Sequence, residues 1–289
     1  MNPRPFEYHS PKTLGEALEL AGKLGSEAKF LAGGQTLLPL MKLRIASPGH
    51  IIDLGRIPEL AYIRTEGGGL AIGALTRMSE IATSKAVLEE SPILSQCANQ
   101  TADPLVRNMG TIGGNLSHGD PSADMPAVVV ATGASLETAS LHGKRTIPGS
   151  QFFLDTFTTA LAEGEILVEA RFPVPPRRVG AYLKLERQAG DFGIVGVAAV
   201  LDFDPGGKCT GCGIGLSGVG PTVIKATKAE QCIVGSAVDK ESVELAAAAA
   251  AGEARPIADL RGSADYKRQM VSVMTRRALQ QALDSRVGR

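Results

Sequence analysis

Residues Arg107 to Pro126 read RNMGTIGGNLSHGDPSADMP, with glycine at positions 110, 113, 114 and 119. How those glycines are used decides how the chain is read. Without a Cβ, glycine accepts positive φ and lets other atoms approach the backbone closely. The segment Thr111-Ile112-Gly113-Gly114-Asn115 therefore suits a turn whose N–H groups point at an anion. A second cluster of the same character, Ala32-Gly33-Gly34-Gln35-Thr36, occurs much earlier in the chain. It sits between an expected strand (Lys29 to Ala32) and an expected helix (Leu37 to Ile45), and Gln35 and Thr36 add side-chain donors. Either cluster alone is equally compatible with an ordinary tight turn.

Two such turns, if they converge, could hold both phosphates of a dinucleotide such as FAD. Asp124 follows closely; a carboxylate there would repel pyrophosphate but could accept hydrogen bonds from ribose hydroxyls. Asp120 and Ser122 read more simply as caps for a helix starting near Met125. Two other patterns are weaker. Gly213-x-Gly215-x-x-Gly218 has dinucleotide-fold spacing, but Gly220-Pro221 follows where a helix would be needed. Cys209-x-x-Cys212 has no second pair and no nearby histidine, so no metal site is expected. His9, His50, His118 and His142 are scattered, and no nucleophile–base spacing emerges. No catalytic side chain is expected, which suits a chain whose cofactor carries the chemistry.

The remainder fits a folded α+β protein. The chain has 289 residues, 44% hydrophobic and 21% charged, with thirty basic residues balancing thirty acidic ones. That balance gives no electrostatic case for nucleic acid or an anionic membrane as partner. Met1 to Ser10 lacks an apolar run, and the alanine-rich Leu245 to Gly252 is too short to span a bilayer. Cys97, Cys209, Cys212 and Cys232 fit free thiols in a reducing compartment, which predicts a cytoplasmic location.

Helices are expected over Pro11 to Leu24, Ser79 to Ala82, Ser91 to Gln100, Met125 to Gly133, Thr222 to Val234, Ser242 to Ala251 and Tyr266 to Leu283. Strands are expected at His50 to Leu54, Tyr62-Ile63, Leu70 to Ile72, Ser135 to Thr138, Lys144 to Ile147, Ala181 to Glu186, Gly193 to Phe203 and Cys209 to Leu216. Thr101 to Asp124 reads as a loop-rich stretch. This order lacks strict βαβ alternation, so α+β is preferred to a doubly wound sheet. FPVPPRR (Phe172 to Arg178) disfavours helix and central strand alike and marks a boundary. It divides the chain into residues 1–176, in lobes of about 1–57 and 58–176, and residues 177–289.

Together, AGGQTLLPLMKLR (Ala32 to Arg44), the Arg107 to Pro126 segment and GDFGIVGVAA (Gly190 to Ala199) resemble the FAD-binding medium subunit of the xanthine dehydrogenase and carbon monoxide dehydrogenase family of molybdenum hydroxylases. RGSADYKRQMVSVMTRRAL (Arg261 to Leu279) resembles the C-terminal domain of that subunit, and the match runs from about Phe6 to Leu283. The resemblance implies a two-lobed FAD-binding domain of the vanillyl-alcohol-oxidase (PCMH) type, then a smaller domain of a three-stranded antiparallel sheet plus helices. It implies two partners, a small subunit with [2Fe–2S] clusters and a large subunit with a molybdenum–pterin cofactor, assembled as a dimer of heterotrimers. Electrons would pass from molybdenum through the clusters to the flavin, then to an external acceptor.

By the same resemblance, Ala32 to Thr36 and Thr111 to Asn115 hold the pyrophosphate, and Asp124 the ribitol or ribose region. Leu167 lies against the isoalloxazine ring, Lys184 near its polar edge, and Phe192 over it. Phe192 stands where carbon monoxide dehydrogenase-like members tend to have tyrosine, and Gln35 where some have histidine. The substrate thus stays open among carbon monoxide, N-heterocycles and aldehydes. Two other functions compete: a stand-alone flavin oxidase, and a non-enzymatic nucleotide-binding module.

Overall fold

The computed structural model describes residues 2–287; the last two residues of the expected segment 177–289 lie outside that range. The N-terminal part opens with β1 (Glu7–His9), α1 (Leu14–Leu24), β2 (Ala28–Leu31), α2 (Leu37–Lys42) and β3 (His50–Asp53). Its three strands form a parallel sheet in the order β1-β3-β2. Thr13 caps α1 by accepting from the Glu16 amide at 3.2 Å, and Lys12 N–H donates to the Glu16 carboxylate at 2.7 Å. The helix buries Ala17, Leu18 and Ala21 against Ile52 and Leu54 of the sheet side and Ile166 and Val168 of the next layer. β1 was not anticipated, because Glu-Tyr-His carries no apolar alternation; main-chain pairing to β3 makes it an edge strand.

The second part contains β4 (Ile63–Glu66), β5 (Gly69–Gly73), α3 (Met78–Thr83), α4 (Lys85–Glu90), α5 (Pro92–Gln100), α6 (Pro104–Met109), α7 (Ile112–His118), α8 (Met125–Thr132), β6 (Ser135–Ser140), β7 (Gly143–Pro148), β8 (Phe153–Asp155), β9 (Thr158–Thr159) and β10 (Ile166–Pro173). Five strands make an antiparallel sheet ordered β4-β5-β10-β6-β7. Its central strand β10 escaped the sequence reading. Residues 166–170 are buried in succession, so no period-two alternation announces a strand.

The expectation of loop over Thr101 to Asp124 is corrected: two short helices occupy much of it. Asp103 starts α6 by accepting from the amides of Leu105 and Val106 at 2.7 and 2.9 Å, with Pro104 in the first turn. This is a favoured helix start, cap followed by proline. Thr111 likewise caps α7 by accepting from Gly114 N–H at 3.1 Å.

The C-terminal part contains β11 (Arg178–Leu185), β12 (Val195–Phe203), β13 (Cys209–Ser217), β14 (Ile224–Lys225), α9 (Thr227–Ile233), α10 (Lys240–Glu253) and α11 (Ala264–Val287). The three long strands form the expected antiparallel meander, and the two-residue β14 adds an edge. β14 lies in the stretch read as one helix from Thr222; the helix begins only at Thr227. Alternate residues serve opposite faces: Ala198 and Val200 join the core with α5 and α8, while Val197, Ala199 and Leu201 join α10 and α11. Gly213 and Gly215, the dinucleotide-like pattern, sit inside β13. A side chain at either position would collide with a carbonyl of α8, that of Ala131 or Ala127. Their spacing reflects sheet–helix packing.

Candidate functional site

The two glycine clusters meet in space. A β-carbon at Gly33 would overlap the carbonyl oxygen of Met109 and lie 2.8 Å from the Gly110 Cα. One built at Gly114 would lie 3.8 Å from the Ala32 Cβ, and one at Gly110 the same distance from the Gln35 Cγ. The first turn leaves β2 with Gly34 at φ +73°, a left-handed conformation that strains residues with a side chain. Leu38 N–H donates to Gly34 O at 3.1 Å and opens α2. Among the described residues, the N–H groups of Gly33, Gly34, Gln35 and Thr36 donate to no main-chain acceptor. Gln35 and Thr36 are exposed, and the Gln35 amide folds back to donate to Gly33 O at 3.1 Å.

The second turn is built differently. Ile112 N–H donates to Thr76 O at 3.0 Å and Gly113 N–H to Ala74 O at 2.8 Å, while Met78 N–H donates to Gly110 O at 2.9 Å. Together with the Thr111 cap on Gly114, these bonds consume most of the donors that the sequence offered to a phosphate. Gly113 is glycine because a Cβ would stand 2.7 Å from Ala74 O. The second cluster therefore forms a rigid seat clamped to residues 74–78, on which the first turn rests. One polar group on it is unspent: Asn115 Oδ1 is buried without a hydrogen-bond partner. A bare acceptor of this kind costs about 1–3 kcal/mol unless something donates to it. Unused amides in the first turn, a close glycine–backbone seat and an orphan amide oxygen fit a phosphate- and hydroxyl-bearing ligand such as FAD.

Asp124 and Lys184 are brought together at the end of α5. Tyr182 donates its hydroxyl proton to Asp124 Oδ1 at 2.5 Å, and Lys184 Nζ lies 3.5 Å from Asp124 Oδ2. The Lys184 side chain is fully buried and donates to Gln100 O at 2.6 Å and Asp191 O at 2.9 Å, with Glu186 at 3.0 Å. Burial pushes the Asp124 carboxyl up to about 6, opposed by the Lys184 charge and the Tyr182 hydrogen bond. Burial also raises the thiol of Cys97, which lies fully buried near this pair. Lys184 thus ties the end of α5 to the loop that carries Phe192. That loop abuts the start of α6, since a β-carbon at Gly190 would lie 3.5 Å from Asp103 N.

Phe192 is half exposed, with the Arg261 guanidinium 5.9 Å from its ring centre. Leu167 lies elsewhere, on β10 opposite Thr138 and inside the main core. The residues preceding it are pinned by Glu165, which accepts from Arg145 Nε and Nη2 at 2.7 and 2.6 Å and from Ala162 N–H at 2.8 Å. Those bonds hold the Glu165 carboxyl down at about 2. Sequence reasoning missed Tyr182, Cys97 and residues 74–78, since none sits in a glycine cluster or bears a recognisable motif.

Converging glycine turns on an α+β scaffold suit a protein that binds a nucleotide-bearing cofactor. The family model described as the FAD binding domain in molybdopterin dehydrogenase matches residues 4–175, and that described as the CO dehydrogenase flavoprotein C-terminal domain matches residues 180–282. The chain is 45% identical to the carbon monoxide dehydrogenase medium chain of Hydrogenophaga pseudoflava over 98% of both chains. It is 41% identical to the corresponding medium chain of Afipia carboxidovorans, again over 98% of both. A solved carbon monoxide dehydrogenase structure from Hydrogenophaga pseudoflava superposes with TM-score 0.95 at 46% identity, over 99% of each chain. The chain belongs to the family of FAD-binding medium subunits of molybdenum hydroxylases, and is an oxidoreductase flavoprotein component. No helix among the described residues is long and apolar enough to cross a membrane.

Proposed function

We propose that this chain holds FAD between the Ala32–Thr36 and Thr111–Asn115 turns and serves as the electron-transfer subunit of a molybdenum-containing hydroxylase. In this reading it receives electrons from [2Fe–2S] clusters of a small partner subunit and delivers them to an external acceptor. Substrate oxidation belongs to a large molybdenum–pterin subunit, in a dimer of heterotrimers. The division into FAD-binding lobes 1–57 and 58–176 and a C-terminal domain 177–289 is part of the same proposal, as is a cytoplasmic location. The latter is supported by four cysteines that are all free.

The observation that carries the reading is the contact of Gly33 with Met109–Gly110, beside amides that no protein carbonyl uses. The amides of residues 33–36 bind the diphosphate, and Asn115 Oδ1 accepts from a ligand donor. Asp124 positions the ribitol or ribose region, and Leu167, though set in the core on β10, is assigned by the resemblance to lie against the ring. Lys184 and Phe192 border the ring, Lys184 by holding the Phe192 loop. Bound FAD supplies the redox chemistry, and the chain binds, orients and shields it.

The test is reconstitution. Chain stripped of flavin should take up one equivalent of FAD and show no oxidase turnover of alcohols or aldehydes by itself. It should co-purify with an iron–sulfur chain and a molybdenum chain. Robust turnover by the lone chain would favour a stand-alone oxidase, and micromolar ATP binding without FAD a nucleotide module.

A further inference from the structure

On the outer side of the parallel sheet, Glu7 and His9 of β1 meet His50 of β3, which is distant in sequence. Glu7 and His9 are two residues apart on β1 and so project from the same face, while β3 places His50 directly beside Glu7. His9 Nε2 lies 3.2 Å from His50 Nδ1, His50 Nδ1 lies 3.4 Å from Glu7 Oε2, and His9 Nε2 lies 4.0 Å from Glu7 Oε2. All three ligand atoms fall within 4.8 Å of one another. Metal–ligand bonds of about 2.0–2.1 Å at tetrahedral angles put donor atoms about 3.3–3.4 Å apart. Two of the observed separations lie within a few tenths of an ångström of that spacing, and the third closes with a small rotation of an exposed glutamate.

The surroundings suit a cation. The histidine side chains are 24% and 23% exposed, so their rings are held by neighbours; Glu7, at 74%, leaves one side open to solvent. The ring centroids are 5.4 Å apart and tilted by 35°. β3 pairs His50 with Ala28 and Asp53 with Leu31, whereas the first glycine turn begins just after Leu31. β1 lies two strands from β2 in the sheet, so at about 4.8 Å per strand the cluster sits roughly 10 Å to the side of that turn. It is a different place from the flavin site.

We propose that Glu7, His9 and His50 form a surface site for one divalent transition-metal ion of the zinc class, with water completing a tetrahedral shell. Imidazole nitrogen with one carboxylate selects zinc, cobalt, nickel or copper over magnesium or calcium, which prefer all-oxygen shells. Bound metal cross-links the short edge strand β1 to the central strand β3, and so fastens the N-terminal segment to the sheet. The contact is independent of the flavin reading, because none of its three side chains lies in either glycine turn.

Calorimetric titration of zinc chloride into tag-free, chelator-washed chain tests this. One equivalent should bind with Kd below about 100 μM. His9→Gln and His50→Gln should each weaken binding at least about tenfold, since each removes one of three ligands. Cys212→Ser should leave it unchanged, and circular dichroism of each variant checks the fold. Magnesium in place of zinc should not bind. The site is refuted by non-saturable binding, by binding indifferent to both histidine changes, or by loss of binding in Cys212→Ser, which would assign the metal to the thiols. The remaining reading is then a plain histidine–histidine hydrogen bond.

Discussion

Gly33 rests directly on the main chain of Met109, so closely that no β-carbon could stand between them. The contact joins turns that lie far apart in sequence, and glycine is the only residue that permits it. Gly33→Ala must push the first turn off its seat. Overpacking of this kind costs about 1–3 kcal/mol. Since about 1.4 kcal/mol is tenfold, FAD affinity should fall roughly 5- to 150-fold while secondary structure is retained. Flavin titration of the stripped chain, read by fluorescence quenching, measures this. An unaltered Kd would show that the seat does not shape the site.

Substitution at Asn115 should separate ligand binding from folding. Its Oδ1 has no partner in the protein, so Asn115→Ala removes no internal hydrogen bond from that atom. The FAD-free chain should therefore keep or slightly raise its melting temperature. FAD affinity should drop by about 1–3 kcal/mol, the range for losing a buried acceptor's partner. Paired thermal melts with and without FAD check both halves. A variant that loses stability equally in the two conditions would make Asn115 a structural residue.

The glycine clusters were legible because clustered glycine marks backbone under special demand, and both mark turns that touch. Their division of labour was not legible. Whether an amide is left free or bonded to Ala74 and Thr76 depends on a distant turn, and nothing in TIGGN encodes that partner. Lys184 was singled out only through the resemblance, and nothing in its strand pattern shows that the chain wraps Gln100, Asp191 and Asp124 around it. The α6 helix was missed although Asp103-Pro104 is a sound start signal, because the neighbouring glycines outweighed it. β10 was missed for the opposite reason, a uniformly apolar run with no period. The histidines showed no spacing in sequence, and only the parallel register of β1 with β3 joins them.

Glu165 is a carboxylate whose pairing should register in acid unfolding. Arg145, Thr138 and the Ala162 amide hold its carboxyl down at about 2 in the folded chain. The unfolded value is near 4.3. A depressed folded pKa adds stability that is complete above the unfolded value and is lost as pH falls through the folded one. The window is therefore about pH 4.3 down to 2, and the contribution at neutral pH is at most about 3 kcal/mol. Glu165→Gln should destabilise the chain at pH 7, and its deficit should shrink as pH falls through that window. Denaturant midpoints at several pH values would show this; a pH-independent deficit would mean the loss is one of packing.

Asp124 should behave with the reverse sign. Its carboxyl is pushed up to about 6 by burial, despite Lys184 and Tyr182, against about 3.9 unfolded. A raised folded pKa means the folded chain holds the proton more tightly, so stability is fullest below the unfolded value and is lost as pH rises through the folded one. Across about pH 4 to 6 the wild type should lose up to about 3 kcal/mol from this group. Asp124→Asn, which mimics the protonated form, lacks that slope. Its melting temperature should therefore climb relative to wild type from pH 4 to pH 6.5, although Lys184 loses its counter-charge. If wild type instead gains on the variant over this range, the Lys184 pair outweighs burial, and Asp124 is ionised throughout as a fixed anion paired with Lys184.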